Sequence, residues 1–111
     1  MEGGGVTEHD IQLLSNAMAR ARGAVVIRVN SGGNITKRGG HIALAEKGTS
    51  DTVMCYQGKF IAVEYKDTGK HPTDEQLEFG RMVNRAVGIF LVIDDPDKLM
   101  REFDILQGGE L

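Results

Sequence analysis

Apolar residues recur at helical spacing in two stretches of the chain. In the first, Thr7 is the predicted N-cap, Asp10 completes a variant of the capping box, and the helix runs to about Arg22. In the second, Thr73 is the predicted N-cap and Gln76 occupies the third helical position. The predicted buried stripes are Ile11, Leu14, Ala17, Met18 and Ala21 in the first helix, and Leu77, Phe79, Met82, Val83 and Ala86 in the second.

Runs rich in β-branched and aromatic residues predict the strands, at 24–29, 50–56, 60–65 and 89–93. The last run is apolar throughout, which predicts a strand buried on both faces. Residues 41–46 are expected to form a short strand or a turn. Pro96 begins a last short helix, whose predicted inward-facing residues are Leu99, Met100 and Phe103. The order of elements, α-β-(β)-β-β-α-β-α, is that of an α/β domain.

The position of one hairpin turn decides which side chains share a face of the sheet. A turn at 57–58 places Asp51 opposite Glu64, whereas a turn at 58–59 places Asp51 opposite Lys66. A three-residue loop would put Asp51 on the other face. In both two-residue turns the two acids and the lysine share a face, and facing acids are unfavourable unless a bound cation removes their repulsion.

Length and composition limit the number of domains and the class of protein. The 111 residues are enough for one domain, 1–111, with flexible ends expected at 1–6 and 105–111. No apolar run approaches the roughly 20 residues of a membrane span. The N-terminus lacks the basic and apolar regions of a signal peptide, and the lone Cys55 is expected to pack as a small apolar side chain. We therefore expect a cytoplasmic protein without a membrane partner.

The net charge of −3 does not by itself suggest nucleic acid. However, residues 1–85 hold 11 basic and 10 acidic side chains, whereas residues 86–111 hold 2 and 6, so the acidity lies mainly in the tail. The glycine-rich loop 30–40 has a composition that suits backbone contacts with phosphate. A zinc site is not expected, because the spacing is wrong for His9, His41 and His71.

With Asp51, Glu64, Lys66 and Gln76 placed, the chain resembles the PD-(D/E)xK nucleases, and most closely the stand-alone VRR-NUC domains of phages and bacteria. The resemblance covers roughly residues 7–94. It includes Glu8, Arg28-Val-Asn-Ser-Gly32 and Gly48-Thr-Ser-Asp51. It departs at Ser50, where the motif usually has proline, and at Tyr65, where a small aliphatic residue is usual.

The resemblance implies a restriction-endonuclease-like core, with a mixed central sheet flanked by helices. It also implies hydrolysis of DNA phosphodiester bonds with Mg²⁺ or Mn²⁺. The metal ligands would be Asp51, Glu64 and the backbone carbonyl of Tyr65, with Glu8 joining directly or through water. Glu8 is equally a favourable residue for the first turn of a helix, so its metal role has a structural alternative.

The resemblance also implies roles for the remaining catalytic positions. Lys66 would orient the attacking water or offset charge that develops on the phosphate. Gln76 would position Lys66 or the water, although it could serve only as the reciprocal half of the Thr73 cap. Implied DNA contacts, each of which could instead be solvated surface, are Arg28, Asn30, Ser31, Lys37, Arg38, Lys70 and His71.

The family includes enzymes that cut four-way DNA junctions as two-fold dimers. The expectation is therefore a homodimeric, structure-selective endonuclease that prefers branched DNA, acting in a bacterial or phage-infected cell. One alternative is a nickase or flap nuclease that requires a partner. The other is a catalytically silent nuclease fold that serves as a DNA-binding subunit.

Overall fold

The computed structural model describes residues 7–29, 34–35, 41–42 and 50–108, with 34–35 and 41–42 described by their backbone. Within these residues the chain forms, in order, α1 (Glu8–Ala21), β1 (Val25–Arg28), β2 (Asn34–Ile35), β3 (His41–Ile42), β4 (Thr52–Tyr56), β5 (Lys59–Tyr65), α2 (Asp74–Arg85), β6 (Ile89–Ile93) and α3 (Pro96–Gly108). The predicted α/β class is confirmed.

Four of the strands form a mixed sheet in the order β1-β4-β5-β6. The pairs β1–β4 and β4–β5 are antiparallel, while β5 and β6 run parallel because α2 connects them as a crossover. Strands β2 and β3 pair with each other in a separate two-stranded sheet. The mixed sheet is flanked by helices, as predicted.

The hairpin between β4 and β5 turns at Gln57 and Gly58. Both residues have positive φ, 53° and 75°, as the tightest hairpin turns require, and Tyr56 pairs with Lys59. Of the alternatives that the sequence left open, the 57–58 turn is therefore the one observed. Thr52 pairs with Val63, so the same register places Asp51 opposite Glu64.

The core lies on one face of the mixed sheet. Alternate residues of β4 and β5 point to this face and pack against α1 and α3, because strand side chains alternate with period two. Its fully buried members include Ile11, Met54, Ile61, Val63, Tyr65, Leu99 and Phe103. Glu64 lies between Val63 and Tyr65 and so points to the opposite face, where α2 packs on β5 and β6.

The predicted stripe of α1 is partly wrong. Ile11 is buried and Met18 is half-buried, but Leu14, Ala17 and Ala21 are exposed. The buried face instead includes Ser15, Asn16 and Ala19. Hydrophobic periodicity missed this face because two of its members are polar, and Asn16 accepts a hydrogen bond from Tyr65 on the sheet.

Two further burial predictions are corrected. In α2, Val83 is buried and Phe79 is half-buried, whereas Leu77, Met82 and Ala86 are exposed. Strand β6 is half-buried along most of its length, with an exposed Val92, because it pairs only with β5 within the described sheet. Helix α2 covers one face near the edge of the described sheet, and β6 is the strand at that edge.

Two inward-facing predictions for α3 are confirmed, since Leu99 and Phe103 are fully buried and Met100 is half-buried. The prediction for Cys55 is wrong: it is exposed on the face of the sheet opposite the core. Within the described residues no helix is both long and apolar enough to cross a bilayer.

The predicted loop at 30–40 includes strand β2, and the predicted element at 41–46 begins with β3. The remainder of both segments lies outside the described residues, as does the N-terminal segment 1–6.

Val87 follows α2 in a backbone conformation that glycine usually occupies. Its φ is 68°, the Gly88 N–H donates to the Val83 carbonyl at 2.9 Å, and the valine side chain is 90% exposed. A β-branched residue in this left-handed region is strained, and its exposed side chain contributes little packing in return.

We predict that Val87→Gly raises the free energy of unfolding by about 1 kcal/mol, the scale of the left-handed penalty for a residue with a Cβ atom. Urea denaturation would measure it. Val87→Ala is the matched control, because it keeps the Cβ atom and should gain less. A Val87→Gly variant less stable than wild type would contradict the strain.

Candidate functional site

One end of the mixed sheet collects the predicted catalytic residues from four elements. Glu64 comes from the end of β5, Asp51 directly precedes β4, Gln76 lies in the first turn of α2, and Glu8 begins α1. Lys66 follows β5, where its backbone N–H donates to the Ile93 carbonyl at 3.0 Å. The fold therefore brings together residues from positions 8 to 76.

Glu64 is a carboxyl group removed almost entirely from solvent, since only 1% of the residue is exposed. Its Oε2 accepts a hydrogen bond from Gln76 Nε2 at 2.8 Å and lies 3.8 Å from Lys66 Nζ. Its Oε1 is buried and accepts no hydrogen bond from a described donor, while the Glu64 carboxyl group lies within hydrogen-bonding reach of Asp51. An unpaired buried oxygen of this kind is costly, so a ligand that coordinates it would stabilise the site.

The surroundings of Glu64 raise its pKa to about 8. Burial is the largest cause, and the negative charge of Asp51 is the next, while the charge of Lys66 opposes both. The metal-free protein therefore holds a proton on Glu64 at neutral pH. A cation placed between the two acids would reverse the effect of Asp51 and release that proton.

Asp51 is held in place from two sides. Its Oδ2 accepts a hydrogen bond from the Tyr65 backbone N–H at 3.1 Å, and its own carbonyl accepts one from Val29 N–H at 2.8 Å. The carboxylate is therefore fixed to β5, next to Glu64, by a group that cannot move independently of the strand. Asp51 remains half-buried.

Gln76 forms the predicted half of the Thr73 cap, and its amide contacts Glu64, a partner that the sequence did not predict. Its Oε1 accepts a hydrogen bond from the Thr73 N–H at 2.8 Å and completes the capping box, while its Nε2 donates to Glu64. The cap therefore fixes the orientation of the amide that contacts the carboxyl group.

Glu8 lies in the first turn of α1 and is half-buried. Its pKa is raised, mainly by burial and then by the charge of Asp51, with Lys66 acting in the opposite direction. Its backbone N–H donates to Asp67 Oδ1, a contact that sequence reasoning missed. Residues 8 and 67 are far apart in the chain, and no local pattern predicts that a helix start and a strand end meet.

A buried polar network beneath the site was also missed. The Tyr65 hydroxyl donates to Asn16 Oδ1 at 2.6 Å, and the buried Ser50 hydroxyl donates to the Thr52 carbonyl at 3.1 Å. Tyr65 and Ser50 are the two positions at which the sequence departs from the nuclease motif that it resembles. Both find partners in this chain, so neither departure leaves an unpaired hydroxyl.

The residues fit a small divalent cation such as Mg²⁺ when it is bound through few protein ligands. Among the described residues no three His, Cys, Asp or Glu side chains are grouped to hold a metal by themselves. Mg²⁺, however, is usually bound by one or two carboxylates, with waters and substrate phosphate completing its shell. Asp51 and the unpaired oxygen of Glu64 supply carboxylate oxygens of this kind.

Three of the seven predicted DNA contacts lie in the part of the chain that the structure describes. Arg28 at the end of β1 is exposed, as are Lys70 and His71 in the connection between β5 and α2. They are accessible to a nucleic-acid partner, and no described contact assigns them another role. Four predicted contacts lie outside the described residues: Asn30, Ser31, Lys37 and Arg38.

Comparison with models of known protein families gives no match to this chain, and comparison with curated proteins gives none either.

The raised pKa of Glu64 predicts how stability depends on pH in the absence of metal. Between pH 4.5 and about 8 the native state keeps a proton that the unfolded state has released, so the free energy of unfolding falls as pH rises. We predict that Glu64→Gln removes this decline. Urea denaturation at a series of pH values in EDTA would show wild type losing stability relative to the variant.

Glu78→Gln is the control for this comparison. Glu78 is exposed and its pKa is lowered by Arg81, so its removal should not reproduce the effect. Parallel stability curves for wild type and Glu64→Gln would contradict the buried, protonated carboxyl group.

Proposed function

We propose that the protein is a metal-dependent DNA endonuclease with a restriction-endonuclease-like fold of the VRR-NUC type. The observation that carries the proposal is the buried Glu64, which faces Asp51 and has one unpaired carboxyl oxygen. Two acids, a lysine and an amide at one end of a sheet match the Asp-Glu-x-Lys pattern of such nucleases. The mixed sheet flanked by helices supports the same assignment.

Asp51 and Glu64 would hold Mg²⁺ or Mn²⁺, with the Tyr65 carbonyl and Glu8 completing the protein ligands. Bound there, the cation would polarise the scissile phosphate and make an attacking water more acidic. Lys66, 3.8 Å from Glu64, carries the positive charge that would offset charge developing on the phosphate. Gln76 would hold Glu64 in a fixed orientation through its amide.

A catalytically silent, DNA-binding subunit is the principal rival. Adjacent acids repel a phosphate backbone, and a buried carboxyl group with an unpaired oxygen lowers stability. A domain that only binds DNA gains nothing from either feature. The pair Asp51 and Glu64 therefore favours the metal-dependent reaction.

The proposed enzyme acts as a homodimer on branched DNA, with four-way junctions as the preferred substrate. Strand β1 supports dimerisation, because within the described sheet it pairs only with β4. Val25 and Ile27 on this edge strand are 62% and 57% exposed. An open apolar edge favours pairing with another strand, and two antiparallel copies of β1 would satisfy both edges by two-fold symmetry.

We predict cleavage of DNA that requires Mg²⁺ or Mn²⁺ and is lost in Glu64→Ala. Labelled four-way junction, flap, single-stranded and duplex DNA would be incubated with each protein, and paired symmetric cuts are expected in the junction. EDTA should abolish cutting by wild type. Cutting of flap or nicked DNA only after a partner is added would favour the partner-dependent alternative.

The silent alternative makes the opposite prediction for the same assay. It requires DNA binding that is insensitive to EDTA, no product with any substrate, and tighter binding by Asp51→Ala because a repulsive charge is removed. That combination would refute the nuclease assignment.

We predict that light scattering at micromolar concentration gives the mass of a dimer. Ile27→Lys should shift the protein to a monomer, since a charged side chain on an edge strand opposes strand pairing. Ile105→Lys on α3 is the matched control, because Ile105 is 65% exposed but does not belong to the edge strand β1. A wild-type monomer would contradict the homodimer.

A further inference from the structure

One contact links the start of α1 directly to the catalytic end of the sheet. Asp67, the residue after Lys66, accepts a hydrogen bond on Oδ1 from the backbone N–H of Glu8. The two residues are 59 positions apart in the chain. The bond is made to the main chain of Glu8, so it fixes the position from which the Glu8 side chain extends.

The local cap of α1 does not provide this link. The Thr7 hydroxyl accepts a hydrogen bond from the Asp10 N–H at 3.1 Å, and the Asp10 carboxylate in turn faces the Thr7 N–H at 3.5 Å. These bonds close the first turn on itself and would form wherever the helix lay. The contact made by Asp67, in contrast, joins the first turn directly to the residue that follows Lys66 at the end of β5.

Asp67 is itself firmly attached to the sheet. The preceding residue, Lys66, donates its backbone N–H to the Ile93 carbonyl at 3.0 Å, and the Asp67 carbonyl accepts from Lys70 N–H at 2.9 Å. Because the backbone is hydrogen-bonded at Lys66 and at the Asp67 carbonyl, the Asp67 side chain ties the position of α1 to that of β5.

We propose that Asp67 is a positioning residue that holds Glu8 beside Asp51 and Glu64, and so sets the affinity of the site for a divalent cation. The inference rests on the proposed metal-dependent function and deepens it. Asp67 acts through its hydrogen bond to the Glu8 main chain, not as a metal ligand. Outer partners that orient metal ligands are commonly as important to affinity as some of the ligands.

The test compares three variants of the full chain in the absence of DNA. Asp67→Ala removes the acceptor, and Asp67→Asn keeps an acceptor oxygen but removes the charge. Asp10→Ala removes the carboxylate half of the local capping box and leaves Asp67 intact. Mn²⁺ affinity would be measured by calorimetry. The Glu8 amide proton shift in ¹⁵N-edited spectra reports the hydrogen bond itself.

We expect Asp67→Ala to weaken Mn²⁺ binding roughly tenfold or more and to move the Glu8 amide resonance upfield. Asp67→Asn should retain most of the affinity, and Asp10→Ala should lower thermal stability while leaving affinity close to wild type. An equal loss of Mn²⁺ affinity in Asp67→Asn would show that Asp67 acts by charge alone, and this would overturn the proposal. Equal loss in Asp10→Ala would overturn it as well, because fraying of the helix would then suffice.

Failure of the proposed function has a different signature. The wild-type protein could bind no Mn²⁺ while its Glu8 amide still responds to Asp67→Ala. The hydrogen bond would then exist, but the metal site would not. Both the nuclease assignment and the positioning role would then be wrong. Metal binding by wild type that is unaffected in Asp67→Ala would refute the positioning role alone.

Discussion

The burial of an acid on the strand β5 is the constraint that organises the rest of the molecule. Glu64 lies on the sheet face opposite the core, where α2 covers β5 and β6, and its neighbours compensate only part of the cost of burial. Gln76 satisfies one carboxyl oxygen and Lys66 lies nearby, yet the other oxygen is unpaired and Asp51 adds a like charge. This arrangement supports the proposed cation site.

The topology places two helix N-termini at this same end of the sheet. Helix α1 contributes Glu8 and helix α2 contributes Gln76, each from its first turn. The positive ends of both helix dipoles therefore lie near the paired acids and partly offset their charge. Helix α1 is bonded there through Asp67, and helix α2 through the hydrogen bond from Gln76 to Glu64. An anionic phosphate would meet the same favourable field.

The helix starts and the hairpin turn could be predicted because they depend on neighbouring residues. Long-range contacts leave no pattern in the sequence. Capping boxes at Thr7 and Thr73 and the turn at Gly58 were visible in sequence, since each depends on residues within a few positions. The sequence left two registers open, and only the structure decides that Asp51 lies opposite Glu64 and not opposite Lys66. The link from Asp67 to α1 could not be foreseen, because it joins two elements that only the complete fold brings together. The buried face of α1 was mispredicted because its polar members, Ser15 and Asn16, bond to or lie against the sheet and so escape hydrophobic periodicity.

The central claim, that a protonated Glu64 beside Asp51 forms a divalent-cation site, is tested most directly by counting protons released on metal binding. Mg²⁺ or Mn²⁺ would be titrated into the protein at neutral pH in two buffers of different ionisation enthalpy. Because the pKa of Glu64 is about 8, binding should release close to one proton per cation. Binding without proton release, or no binding at all, would contradict the claim.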